Sequence, residues 1–115
     1  MDYTERLRRL AFNDDALADA MLSAPFRFEL DAKTLALARV AALVAMGGPE
    51  ASFASQVDAA ISAGASASEI VDVLEGVVTV VGVPRAVAAA PKIAIVLGHD
   101  LYDEDTGRVT GATNA

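Results

Sequence analysis

The stretch VLEGVVTVVGVP, residues 73–84, holds one carboxylate, Glu75, in an otherwise apolar run. Arg39 is the comparable cation, the only charge between Leu35 and Met46. A carboxylate taken out of water needs a partner, a shifted pKa or an open pocket beside it. In a small apolar pocket, desolvation raises its pKa toward working pH and suits it to general acid–base chemistry. At helical spacing Thr79 shares the face of Glu75, four residues on, and Asp72 lies on the same side. The Arg39 guanidinium fork suits a carboxylate, whether that of Glu75 or of a ligand acid. Two readings follow. Glu75 is an acid or base and Arg39 anchors an acidic ligand, or the two form a structural pair, within a subunit or across a contact. Breaking a buried pair costs about 3–5 kcal/mol, which favours their meeting. A third reading leaves Glu75 exposed on a helix edge. His99, beside Asp100, has no second ligand residue near it. It reads as a helix C-terminal group interacting with the dipole, and neither a metal nor a cofactor is expected.

These residues need helices to position them. Thr4 can cap a first helix through about Phe12, with Glu5 in its first turn. Asn13 or Asp14 can cap a second, DDALADAMLS, in which Leu17, Met21 and Leu22 share a face; Pro25 ends it. SAPFRFEL is a connector. Asp31 then caps DAKTLALARVAALVAM, which stops at Gly47-Gly48. Being apolar all round, this segment reads as a buried helix. Pro49 opens the next helix as its first residue, and Gly64 ends it. Ser66-Ala67-Ser68-Glu69 is a capping box. It starts a helix expected to continue to Gly82. VVTVVGV has strand propensity, but no other segment offers it a partner strand. Pro84 begins the last helix, which Pro91 should kink or split and Gly98 closes. The last two long helices should pack antiparallel, turned by Gly82-Val83-Pro84. Residues 99–115 form a polar tail. The expectation is a single all-α domain, residues 1–115, of about six helices.

Composition narrows the function. Of 115 residues, 54% are hydrophobic and only 5% aromatic, more apolar material than one small core absorbs. Part of it should be buried between copies, so a homo-oligomer is expected. The net charge of −7 argues against nucleic acid, because phosphates need clustered Lys and Arg. The absence of cysteine removes disulfides, thiol peroxidase chemistry and thiolate metal sites. The N-terminus has no apolar signal core, and no uncharged run approaches a membrane span. A cytoplasmic protein with no membrane partner is the expectation.

The segments LDAKTLALARVAALVAM and SQVDAAISAGASASEIVDVLEGVVTVVGVP resemble the carboxymuconolactone decarboxylase family of the alkylhydroperoxidase D-like superfamily. The resemblance covers roughly residues 30–98. Its most specific part is AAxxAGAxxxEIxxVL followed by GVP. TERLRRLAFNDDALADAML looks like the short actinobacterial-type members. The resemblance implies a compact helical subunit in a trimer or hexamer, with sites near subunit contacts. It implies either decarboxylation of a lactone acid by acid–base residues or peroxide reduction by a Cys-x-x-Cys pair. The second needs cysteines this chain lacks. For the first, the resemblance implies a His where Gln56 stands, an Arg where Leu35 stands and a Tyr where Val80 stands. Gln cannot shuttle a proton near neutral pH, and neither Leu nor Val can hold a carboxylate. Gln56 can still hydrogen-bond a ligand, or can be an ordinary helix-surface amide. Two functions remain. One is a non-catalytic or small-ligand-binding oligomer, taking a small organic acid at Arg39, Gln56 and Thr79. The other is a cofactor-independent lyase or isomerase with Glu75 as acid or base.

Overall fold

The computed structural model describes residues 2–12, 15, 16, 19, 22 and 28–98. The chain divides into two units, Met1–Leu30 and Asp31–Ala115. Helices are the only regular structure among the described residues.

In the first unit, α1 spans Tyr3–Ala11. Its cap is Asp2 rather than the expected Thr4: the Asp2 carboxylate accepts from the Glu5 backbone N–H at 2.9 Å. Asp2 is extended, and the helix winds from Tyr3, so Thr4 already lies inside the first turn. Glu5 accepts from Arg8 at 2.6 Å and from Arg9 at 3.3 Å, i,i+3 and i,i+4 partners on one side. Tyr3, Leu7 and Leu10 share another side and are exposed. Of the expected second helix, Asp15, Ala16, Asp19 and Leu22 are helical. Asn13, Asp14, Leu17, Met21 and Pro25 lie outside the described residues, as do His99 and the rest of the tail.

The second unit is built on three helices that pack on one another: α2, Ala32–Met46; α3, Glu50–Ser62; and α6, Val83–Val96. Between α3 and α6 run α4, Ala67–Gly76, and the single turn α5, Val78–Val81. Each of the three main helices buries one stripe at three- and four-residue spacing. These are Ala36, Val40 and Val44 on α2, Phe53, Val57 and Ala60 on α3, and Ala86, Ala89 and Ile93 on α6. Ile70 of α4, fully buried, closes the core against α2.

The caps follow the chain's polar punctuation. Asp31 accepts from the Thr34 N–H at 2.7 Å, and Ser66 and Glu69 form the reciprocal capping box, at 3.0 and 2.9 Å. Pro49 is the residue before α3, not its first residue, and Glu50 begins the helix.

Three further expectations change. First, α2 is not buried all round. Only its Ala36–Val40–Val44 stripe meets the core, and Ala38, Arg39, Ala42 and Met46 are exposed. Second, the helix that starts at Ser66 does not continue to Gly82. It ends at Gly76, turns at Val77, and resumes as α5. Gly76 has the weakest helix propensity after proline, and five β-branched residues follow it, so little holds a straight helix there. Third, Pro91 does not split the last helix, which runs unbroken through it. The carbonyl it leaves without a donor belongs to Val87, on the exposed side, where water can reach it.

The polar side chains of α6 have one destination. Arg85 donates to the Met46 carbonyl at 3.1 Å, and Lys92 donates to the Gly48 carbonyl at 2.6 Å while lying 5.6 Å from the Phe53 ring centre. The last turn of α2 has no basic residue of its own. The two cations of α6 thus cap the negative end of α2's dipole from a neighbouring helix.

Candidate functional site

The four residues singled out for chemistry stand on four different helices: Arg39 on α2, Gln56 on α3, Glu75 on α4 and Thr79 on α5. Arg39 adjoins the buried Val40 in sequence but is turned about 100° from it, and is exposed. Gln56 flanks the buried Phe53–Val57 stripe and is half-buried. Glu75 and Asp72 occupy the side of α4 away from Ile70, and both are exposed. Thr79 is exposed as well, and the turn at Val77 stands between it and Glu75. Their expected i,i+4 relation is therefore not that of one continuous helix.

The expectation that Glu75 and Arg39 leave water together inside the subunit is not met by the single chain. Both are exposed, and among the described residues no hydrogen bond or ion pair reaches the Glu75 side chain. A helix made of Ala, Leu and Val carries too little contrast to show which side meets the core. Its one charge simply lies on the outer side.

The positions where the resemblance implies Arg and Tyr fall differently. Leu35 is half-buried on α2, and Val80, on α5, is 84% exposed. A valine that open has no packing role within the chain.

The resolved electrostatics belong to helix ends. Lys33 sits 2.8 Å from Glu69 and, with the Ser66 backbone N–H, holds the Glu69 carboxyl below the usual carboxylate range. The Thr34 backbone N–H does the same for Asp31. Arg8 and then Arg9 lower Glu5. On α1 a recess of about 210 Å³ is lined by Glu5, Arg8, Arg9 and Phe12. Its charges already satisfy one another, so it serves α1 rather than a ligand. Among the described residues no three His, Cys, Asp or Glu side chains gather as a metal-ligand set. None of the described helices is long and apolar enough to cross a membrane.

Sequence reasoning passed over Arg85 and Lys92. Two signals pointed to them: their seven-residue spacing puts both on one helix face, and the C-terminus of α2 lacks a cation nearby.

Chemically, this is a carboxylate pair, a guanidinium, an amide and a hydroxyl displayed separately on the outside of a helical core. Acid–base work needs a group held within hydrogen-bond reach of the proton it moves, and these side chains converge on no common point within the described residues.

A model of the carboxymuconolactone decarboxylase family matches residues 5–112. No curated protein and no solved structure matches the chain.

Proposed function

Because the chain belongs to the carboxymuconolactone decarboxylase family, we propose that it is a self-assembling helical domain of that family that works without thiol peroxidase chemistry, either non-catalytic or as a binder of a small organic acid. One observation carries this reading: the side chains capable of holding an acid, exposed at Arg39 and Thr79 and half-buried at Gln56, stand on separate helices, and the chain has no thiol. A site made from them becomes enclosed only where copies meet, in a trimer or hexamer. Arg39 then pairs with the acid's carboxylate, while Gln56 and Thr79 hydrogen-bond the rest. Gln56, Leu35 and Val80 supply no proton shuttle, and no cofactor is required. The lack of disulfides suits a reducing cytoplasm. Calorimetric titration with a panel of small aliphatic and aromatic carboxylic acids tests this. Saturable binding that Arg39→Met weakens at least tenfold is expected. Binding unaffected by Arg39→Met removes Arg39 from the site.

A second reading keeps the chain an enzyme, a cofactor-independent lyase or isomerase acting on a small apolar acid or lactone. What favours it is the Glu75 carboxylate, which no described side chain engages and which is therefore available to take a proton. Turnover of a lactone acid lost on Glu75→Gln, with binding retained, would establish it. Binding without turnover in the unaltered protein supports the first reading.

A further inference from the structure

We propose that residues 77–83 are a switching segment: helical in the native chain, they open without the core and then stack as strands on the same segment of other copies. The partner strand that VVTVVGV lacks within its own chain is supplied by an identical one. The proposal concerns a conversion of the fold and stands apart from native self-assembly.

The first observation is that the core does not hold this stretch. Ile70 is fully buried and Ala86 is buried, but no side chain between them is. Val77 and Val81 lie half-buried at the edge of the core, while Thr79, Val80 and Val83 are exposed, Val80 by 84%. The stripes of α2, α3 and α6 therefore stay packed on one another, with Ile70, when residues 77–82 come away. A segment with few buried side chains opens at the low end of local stability.

The second observation is a conflict between sequence and local structure. Every residue from Val77 to Val83 except Gly82 is Val or Thr. Branching at Cβ restricts these side chains in a helix and suits them to a pleated strand. Yet α5 is a single turn, bounded by the break at Val77 and by Gly82 at φ 91°. The Val80 and Val81 N–H groups share the Val77 carbonyl at 2.9 Å, and Gly82 donates to the Val78 carbonyl at 2.8 Å. One turn carries the cost of helix nucleation with few bonds to offset it.

An identical segment is the fitting partner. No charge lies between Glu75 and Arg85. Short uncharged runs of high strand propensity without proline form dry stacks of like side chains. In an extended strand Val77, Thr79, Val81 and Val83 line one face and Val78 and Val80 the other. In-register stacking then sets valine on valine and the Thr79 hydroxyl on its own kind. Glu75 and Arg85 would each stack on a like charge, and Pro84 has no N–H to donate, so the strand is confined to the interval between them. The chain's −7 holds copies apart until salt screens it.

Warming the full chain at high salt tests the proposal, followed by circular dichroism and by thioflavin fluorescence. The unaltered protein should pass from a helical to a β spectrum and bind the dye. Unfolding without a β signal, or no change, overturns the proposal. Val80→Lys puts a charge inside the segment at an exposed position, so the native helical spectrum should remain while conversion slows at least tenfold. Val87→Lys makes the same charge change on α6, at a residue 63% exposed, and should leave the rate unchanged. Both variants bring the net charge nearer zero, which by itself favours association, so slowing by Val80→Lys alone points to the segment. Equal rates in the two variants overturn it. Should Val80→Lys lose its helical spectrum, hydrogen exchange on the converted unaltered protein decides. The amides of residues 77–83 should then be protected, and free exchange there overturns the proposal.

Discussion

Glu75 carries its charge on the outer side of α4, where water reaches it. Replacing it removes no ion pair among the described residues, so Glu75→Gln should leave the urea midpoint of the dilute chain where it is. Coupling between Glu75→Gln and Arg39→Met, measured by a double-mutant cycle, should be absent from the single chain; under the self-assembly proposed above it would appear only between copies. Coupling in the isolated chain would restore an intramolecular pair. Glu69 behaves differently. Lys33 and the Ser66 N–H favour its charged form, so its carboxyl titrates lower folded than unfolded. The stabilisation is complete above the ordinary Glu pKa and is lost as pH falls through the lowered folded value. Stability between about pH 6 and pH 3 should therefore decline less steeply in Glu69→Gln than in the unaltered protein. Arg39 and Glu75 were legible in the sequence as isolated charges, but their exposure was not. Nothing in residue type separates the buried Ala36 from the exposed Ala38 and Ala42.

Helix ends were the most legible elements, since each is specified by one or two side chains. Asp31 and the Ser66–Glu69 box cap as their chemistry requires, and Gly47 and Gly82 sit at φ 77° and 91°. The cap of α1 was misplaced because Asp2 and Thr4 both have suitable oxygens, and spacing alone does not choose between them. The break after Gly76 was hidden because Val and Thr weaken a helix by small amounts that no single residue announces. Ser66→Ala should cost about 1 kcal/mol in chemical denaturation by removing the acceptor for the Glu69 N–H. Gly47→Ala should cost on the order of 1–3 kcal/mol. Its backbone, at φ 77° and ψ 167°, is one that side chains avoid, and the new Cβ would lie 3.1 Å from the Arg85 guanidinium. A neutral outcome at Gly47 would mean that the loop shifts to accommodate the methyl.

At the scale of the whole molecule, a cysteine-free member of this family should consume no peroxide above background in a metal-free, haem-free sample. Saturating peroxide turnover would contradict this. The all-α architecture was legible because capping residues and glycines divide the chain into helical lengths. Which side of each apolar helix stays outside was not, because that depends on the direction each apolar stripe takes once the core has formed. The hold of Arg85 and Lys92 on the end of α2 bears on how this chain opens. These bonds join residues 39 and 44 positions apart, so they form only after the intervening helices have come together. Detaching α6 strips both cations at once, Arg85 from the last carbonyl of α2 and Lys92 from the Gly48 carbonyl just beyond it. Hydrogen exchange in the native state should therefore find the amides of α6 and those closing α2, including the Gly47 N–H bonded to Leu43, exchanging as one cooperative unit. Lys92→Met should loosen both segments together, although the substitution lies in only one of them.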